Sequence, residues 1–375
     1  MKRIGIGIIG SGNVLEAYAP QCQQLASRKL ASLQVVCGRP HQQQRALGLG
    51  ALEFCTEPTA VVERDDIDLV VILTSIHEHV SLADAALRAG KHVLVEKPFA
   101  QTVEDAASLI ELARSQERML VCAPFTALSP TCASMASRLA GGDIGKPCLA
   151  RARYGWSGPW WSDAFYKPGG GCIADLGIYS LTTLTALLGP VINVSCMAGV
   201  AVQERTVQGQ RIRVEAEDNA QITLDFGNLC FGVVTTGFTM QQYRTPALEI
   251  YGSEGTIQML GDDWDPDGFE LWKNSDGCWR VFKETAPDWS WTDGLRETVE
   301  AVAFGTCPRN SPEHALHVIE VMQAARLSAL EGRRVPVRSR FQPLIWPDDL
   351  QTKIGNAHLE HDRTRKHVDR NTSIS

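Results

Sequence analysis

The sequence predicts an α/β protein of two parts: an N-terminal doubly wound parallel sheet, then an α/β domain built on a large, predominantly antiparallel open sheet. Three features of the 375 residues lead there. The first ~125 residues alternate short β-branched runs with longer helical patterns, the mark of βαβ units. After Pro124 that rhythm stops. From residue 190 to about 283 the text becomes alternating strands separated by glycine-bearing turns.

Taken in order, strands are expected over 4–9, 32–37, 68–73, 92–96 and 119–123, with helices over 13–28, 41–48, 57–64, 78–89 and 102–116. Strands such as DLVVIL are almost continuously apolar, which suits a sheet covered on both faces. A helix at 128–140 leads through GGDIGKP into the strand CLARARYGW, an aromatic glycine-rich loop and a helix at 176–188. NAQITLDF, CFGVVTTGF, ALEIYG and TIQML follow as strands, broken by GN, GSEG and DPDG turns. Helices at 292–304 and 313–331 come last, the second announced by Ser311 as cap and Pro312 at the first helical position. The expected division is therefore a domain with a doubly wound parallel sheet at 1–124, an α/β domain with an open sheet at 125–345, and a polar, aperiodic tail at 350–375 expected to be disordered.

Composition narrows the function classes. With 44% hydrophobic and 21% charged residues and no apolar run of ~18, the chain reads as a globular protein with no membrane partner. A net charge of -7 and the lack of a basic stripe argue against nucleic acid. The start, MKRIGIGIIG, has no small-residue cleavage site after its apolar run, so a cytoplasmic location is expected. Eleven cysteines stand singly, without a CxxC pair, and read as reduced thiols. No metal site is expected, because the three histidines of the tail form no cage.

Residues 5–20, GIGIIGSGNVLEAYAP, hold two overlapping dinucleotide patterns. Gly5, Gly7 and Gly10 satisfy GxGxxG literally but begin inside the apolar run. Gly10 and Gly12 fall between that run and the amphipathic helix, where a phosphate-binding turn must lie, with Leu15 at the third glycine position. The expected turn is thus Gly10, Ser11, Gly12, Asn13 and Val14; an ordinary βα turn would read the same way. The second strand ends in Cys37, Gly38 and Arg39, with no carboxylate for a ribose diol and an arginine suited to a 2′-phosphate. NADP is therefore expected as cofactor, with NAD still possible.

Two further segments carry chemistry. In GKHVLVEKPFA a strand ends in Glu96, Lys97 and Pro98, at the edge of a parallel sheet where ligands bind. In KPGGGCIADLGIYSLTTL three glycines permit the backbone to approach a ligand closely, and Asp175 and Tyr179 stand four apart at a helix start, on one face. A carboxylate and a phenol aimed at one point suit proton transfer, while alone the same residues read as a helix cap and a core tyrosine. Lys97 alone reads as a surface lysine.

Together these residues resemble the glucose-fructose oxidoreductase, inositol dehydrogenase and rhizopine-catabolism family, Gfo/Idh/MocA. The resemblance runs from about residue 3 to about 340, through the GxG turn, TSIHEH, EKP, GGGxxxDxGxY and LEIYGSEGTI. It implies a Rossmann domain, an open sheet that often serves as an oligomer surface in a homodimer or homotetramer, and hydride transfer between nicotinamide and a carbon bearing a hydroxyl. It also implies that 1–124 binds the dinucleotide and 125–345 serves substrate binding and oligomerisation, that Lys97 holds the reacting oxygen, that Tyr179 exchanges the proton, and that Asp175 orients the substrate or tunes its neighbours. The Lys97–Pro98 bond is of the kind found cis. Thr74, Ser75, His79, Glu96 and Lys97 join the expected cofactor contacts. Ser75 and Ile76 depart from the family's proline and asparagine, and His77 is an extra histidine read as a surface residue. Tyr179 in place of histidine points to the glucose-fructose oxidoreductase and dihydrodiol dehydrogenase branches.

Six aromatic rings crowd the segment 154–166. Trp156, Trp160 and Trp161 either offer flat faces to a sugar, polyol or cyclic diol, or pack the loop. The expected function is an NADP-dependent oxidoreductase acting on such a secondary alcohol. A dinucleotide- and sugar-binding regulator of the same fold and an NAD-assisted glycoside hydrolase are the alternatives.

Overall fold

The computed structural model describes residues 3–346, apart from 245, 263, 284, 285, 287 and 288, together with the backbone of residues 358–360. The N-terminal part alternates β1 (Ile4–Ile9), α1 (Val14–Ser27), β2 (Ala31–Cys37), α2 (Gln43–Gly48), β3 (Glu53–Cys55), α3 (Thr59–Val62), β4 (Leu69–Ile72), α4 (Ile76–Arg88), β5 (His92–Val95), α5 (Val103–Ser115) and β6 (Leu120–Cys122). Every pairing in this sheet is parallel, in the order β3-β2-β1-β4-β5-β6. The order reverses beside β1, which opens a crevice outside the strand ends there.

Five strands were expected and six form. The extra one, β3, has only three residues, one of them exposed, too short to carry a period. The helix expected at 57–64 shrinks to the single turn of α3. Both Lys97–Pro98 and Ala123–Pro124 are cis.

Next come α6 (Pro130–Ala140), β7 (Pro147–Gly155), α7 (Ile178–Leu188), β8 (Asn193–Gly199), the small hairpin β9 (Glu204–Val207) and β10 (Gln210–Arg213), β11 (Asn219–Gly227), β12 (Cys230–Gly237), β13 (Leu248–Gly252), β14 (Gly255–Gly261), β15 (Pro266–Lys273) and β16 (Cys278–Phe282). The chain then runs through α8 (Gly294–Phe304), α9 (Pro312–Glu331), β17 (Val335–Pro336) and β18 (His358–Glu360). Ten of these strands form one sheet, β17-β8-β11-β12-β7-β13-β14-β15-β16-β18, antiparallel at every step except β12 beside β7. Ser311 caps α9 by accepting from the His314 N–H, as its sequence motif requires. The DPDG segment is not simply a turn, since β15 starts at Pro266. Most of the tail expected to be disordered, 350–375, lies outside the described residues; inside it, 358–360 pairs with β16.

One side of the second sheet is covered by α7 and α9, burying Ala150, Ala152, Ile222, Val234, Leu248 and Ile250. The chain does not stay with that sheet: α8 packs on α1, β1 and β5, and Leu295 and Val299 join the core of the first sheet. The two sheets are thereby clamped, with the strand ends of the first facing the loop that leads into α7.

Candidate active site

Strand packing explains the two early glycines. A Cβ at Gly5 would overlap the Asp66 carbonyl, and one at Gly7 would overlap the Val61 side chain, so neither is free for a ligand. Gly10 closes β1 at φ 111°, where any Cβ would press on the Leu73 and Thr74 backbone. At Gly12 a Cβ would meet nothing within 4 Å. Gly12 therefore borders open space at the start of α1, with Asn13 exposed and Val14 half-buried beside it, a cradle that fits a pyrophosphate. Ser11 is buried and turns to Gln42, while Gly38 lies against both; Arg39 is exposed.

Thr74 and Ser75 lie between β4 and α4, half-buried and exposed, on the side of the Gly10 turn. Two other expected cofactor contacts are placed differently. His79 is only 1% exposed; its Nδ1 lies 2.9 Å from the Pro98 carbonyl and its Nε2 3.1 Å from that of Thr74. Burial holds its pKa below the usual value. Its ring is a brace between the two loops. Glu96 points inward too: Oε1 accepts from the Tyr18 hydroxyl at 2.9 Å and Oε2 from the Lys97 N–H at 2.9 Å. The wholly buried Tyr18 phenol is pushed well above its ordinary pKa by burial and by the neighbouring Glu96 carboxylate, so it remains a donor. Tyr18 was not singled out from sequence. Its signal was a phenol on the apolar face of α1, among Leu15, Ala19, Cys22 and Leu25.

Lys97, Asp175 and Tyr179 meet. The Lys97 Nζ donates to the Asp175 carbonyl and to its Oδ1, both at 2.7 Å, and lies 5.0 Å from the centre of the Tyr179 ring. The lysine and aspartate side chains are 15% and 14% exposed, so the pair borders solvent without being surrounded by it. Asp175 can face Lys97 with both side chain and carbonyl because the expected helix start is a π-helical turn, Ile173–Gly177, ahead of α7. A π turn widens the helix and is frequent at functional sites. Tyr154, at the end of β7, sets its ring edge-on to Tyr179 at 5.5 Å.

The glycine triplet does something other than expected. At Gly171, φ is 88° and a Cβ would press on the Glu217 carboxylate; at Gly169 a Cβ would overlap Gln101 and approach His77. These glycines let the loop pack against its own protein. Arg326 of α9 holds it, donating to the Gly170 carbonyl at 2.6 Å and to Glu217. His77 is exposed, as expected, and lies beside Gly169.

The aromatic segment divides its labour. Tyr166 is core: its hydroxyl donates to the Pro159 carbonyl and Arg205 lies over its ring. Arg205 also donates to the carbonyls of Ser157 and Phe238 and pairs with buried Asp218, so the loop is tied down at several points. Trp156 and Trp161 stack on each other at 5.4 Å, and Trp160 packs edge-on to Trp161 while remaining 67% exposed.

Comparison with known proteins agrees with this fold. The model of an oxidoreductase family with an NAD-binding Rossmann fold (GFO_IDH_MocA) matches residues 4–123, and that of the GFO/IDH/MocA C-terminal domain matches residues 133–258. D-apiose dehydrogenase of Paraburkholderia graminis is 25% identical over 359 residues, covering 90% of this chain and 91% of that protein. Human trans-1,2-dihydrobenzene-1,2-diol dehydrogenase is 26% identical over 207 residues, 53% of this chain and 57% of that enzyme. The fold of levoglucosan dehydrogenase, solved with NADH and levoglucosan, matches with a TM-score of 0.81 at 20% identity, over 90% of this chain and 100% of that one. Both halves of one family thus align in order with the two sheets, and the chain belongs to the Gfo/Idh/MocA oxidoreductases, with a nicotinamide cofactor held by its N-terminal Rossmann sheet.

Proposed function

We propose that the protein is an NADP-dependent dehydrogenase or reductase of a secondary alcohol or ketone on a sugar, polyol or cyclic diol. The convergence of Lys97, Asp175 and Tyr179 carries this reading. The dinucleotide, held at Gly10, Ser11, Gly12 and the start of α1, supplies a hydride acceptor or donor at nicotinamide C4. The Lys97 ammonium, fixed by Asp175, donates a hydrogen bond to the reacting oxygen and favours its negative charge. The Tyr179 oxygen takes the alcohol proton as a phenolate during oxidation and, as the resulting phenol, returns it during reduction. Asp175 keeps Lys97 aimed.

The lack of a carboxylate at Gly38 and the exposed Arg39 favour NADP over NAD. The named relatives act on D-apiose, a dihydrobenzene diol and levoglucosan, which supports a neutral ring or short polyol. Trp156, Trp160 and Trp161 offer apolar faces for it.

We also read the uncovered side of the second sheet as a homo-oligomer surface. Leu149, Phe231, Val233 and Met197 are exposed there, Leu149 directly beside Phe231.

The test is a screen of aldoses, inositols and cyclic diols with both cofactors, followed by absorbance of the reduced nicotinamide. Lys97→Ala and Tyr179→Phe should each lower kcat/KM by at least ~100-fold with cofactor binding retained. Near-normal turnover in both variants would overturn the assignment.

A further inference from the structure

We propose that Gln42 reads the 2′ position of the cofactor's adenosine ribose, its side-chain NH2 donating to a 2′-phosphate. This deepens the NADP reading above and rests on it. Gln42 ends the short helical turn Pro40–Gln42 just beyond β2. Its Oε1 accepts from the Ser11 hydroxyl at 2.7 Å and from the Arg39 backbone N–H at 2.9 Å. The second bond fixes the amide's orientation, because a backbone N–H can only donate and so must face oxygen. The NH2 group is thereby turned away from both. Among the described residues it has no protein acceptor, and it is not enclosed.

Gly38 makes this clasp possible. A Cβ at that position would overlap the Ser11 hydroxyl and stand 3.1 Å from Gln42 Oε1. Where NAD is selected, an acidic residue near the end of the second strand accepts the ribose hydroxyls. Here the space for that side chain is taken by the Ser11–Gln42 hydrogen bond, and the corner presents two N–H donors instead of a carboxylate. Donors gain most from an ionised acceptor, which favours a phosphate over a hydroxyl. Arg39, exposed beside them, adds a cation. Ser11 belongs to the phosphate turn, so one hydrogen bond couples the pyrophosphate end of the site to its ribose end.

Gln42→Glu isolates the claim: it keeps an oxygen for Ser11 and Arg39 but replaces the outward donors by negative charge. Dissociation constants for NADPH and NADH are measured on the purified protein by titration calorimetry. The NADPH constant should rise at least ~30-fold while that of NADH changes by less than about threefold or falls. Gln42→Met removes the donors without adding charge but also removes the oxygen that accepts from Ser11 and Arg39, so both cofactors should weaken, NADPH by roughly 3- to 10-fold more than NADH. Equal weakening of both cofactors, or no change in either, overturns the proposal. A wild-type protein that binds NADH more tightly than NADPH would sink the NADP reading itself, yet a shift of the NADPH/NADH ratio in Gln42→Glu would still uphold Gln42 as the reader of the 2′ position.

Discussion

Lowering the pH from 7 to 5 should destabilise the protein through two histidines of α9. His314 and His317 are buried at the contact of α9 with α7, the helix that carries Tyr179. His314 Nε2 meets the Thr185 hydroxyl at 2.7 Å; that hydroxyl in turn donates to the Leu181 carbonyl, so Nε2 carries the proton. Its Nδ1 has no partner, and a proton added there would find no acceptor. His317 Nε2 accepts the Val191 N–H at 3.0 Å and must stay unprotonated, while Nδ1 faces Ser339. Burial accordingly lowers His314 to about 3, helped by His317, and burial lowers His317 to about 4.

Both folded values lie below the unfolded value near 6.5, so the unfolded chain binds more protons in between. Stability is complete above pH ~6.5 and is lost as pH falls from there toward the folded values. At pH 5 an unfolded histidine gains about 1.5 pH units of protonation free energy, roughly 2 kcal/mol, that the buried ring does not share. Two such rings remove about 3 to 4 kcal/mol between pH 7 and pH 5. His79 and His92, also lowered by burial, act in the same direction. Urea unfolding midpoints at pH 7, 6 and 5, for wild type and for the double variant His314→Gln, His317→Gln, read this directly. The wild type should lose about 3 to 4 kcal/mol more than the variant, which keeps the slope due to His79 and His92. A double variant with the full wild-type slope would refute the reasoning.

Three shorter predictions follow from the site. Tyr18→Phe leaves a buried Glu96 oxygen without its donor, and should cost about 1.5–3 kcal/mol in chemical unfolding and lower kcat several-fold with substrate KM little changed. Gly171→Ala places a side chain at positive φ against Glu217, so a loss of about 1–3 kcal/mol is expected, with the Tyr179 loop displaced in a crystal structure. Phe231→Glu on the uncovered sheet face should shift the mass measured by light scattering toward the monomer; an unchanged mass would exclude that face as the interface.

Several elements were legible because their signal is local. Strand and helix periods placed β1, β2, β4, β5 and β6 within a residue or two, and the boundary between β1 and α1 was enough to choose Gly10 and Gly12 over the literal GxGxxG. Ser311 with Pro312 marked the start of α9 for the same reason. Three residues without a period, as in β3, left nothing to read. Asp175 and Tyr179 were read as neighbours on one face, but the π turn that turns Asp175 toward Lys97 depends on packing that spacing does not encode.

What the sequence alone determined is the order of elements, the glycine turn between β1 and α1, and the segments that bring Lys97, Asp175 and Tyr179. These depend on backbone preferences and on contacts between residues a few positions apart. Only the tertiary structure decided which polar groups face the cleft and which serve the protein itself. It turned Glu96 inward to Tyr18, closed His79 between two carbonyls, packed the glycine triplet against Glu217, and turned the Gln42 amide outward from Ser11. Each of these outcomes depends on a partner far away in the chain, and a buried polar group takes whichever partner the crossing of strands and helices brings within hydrogen-bond reach.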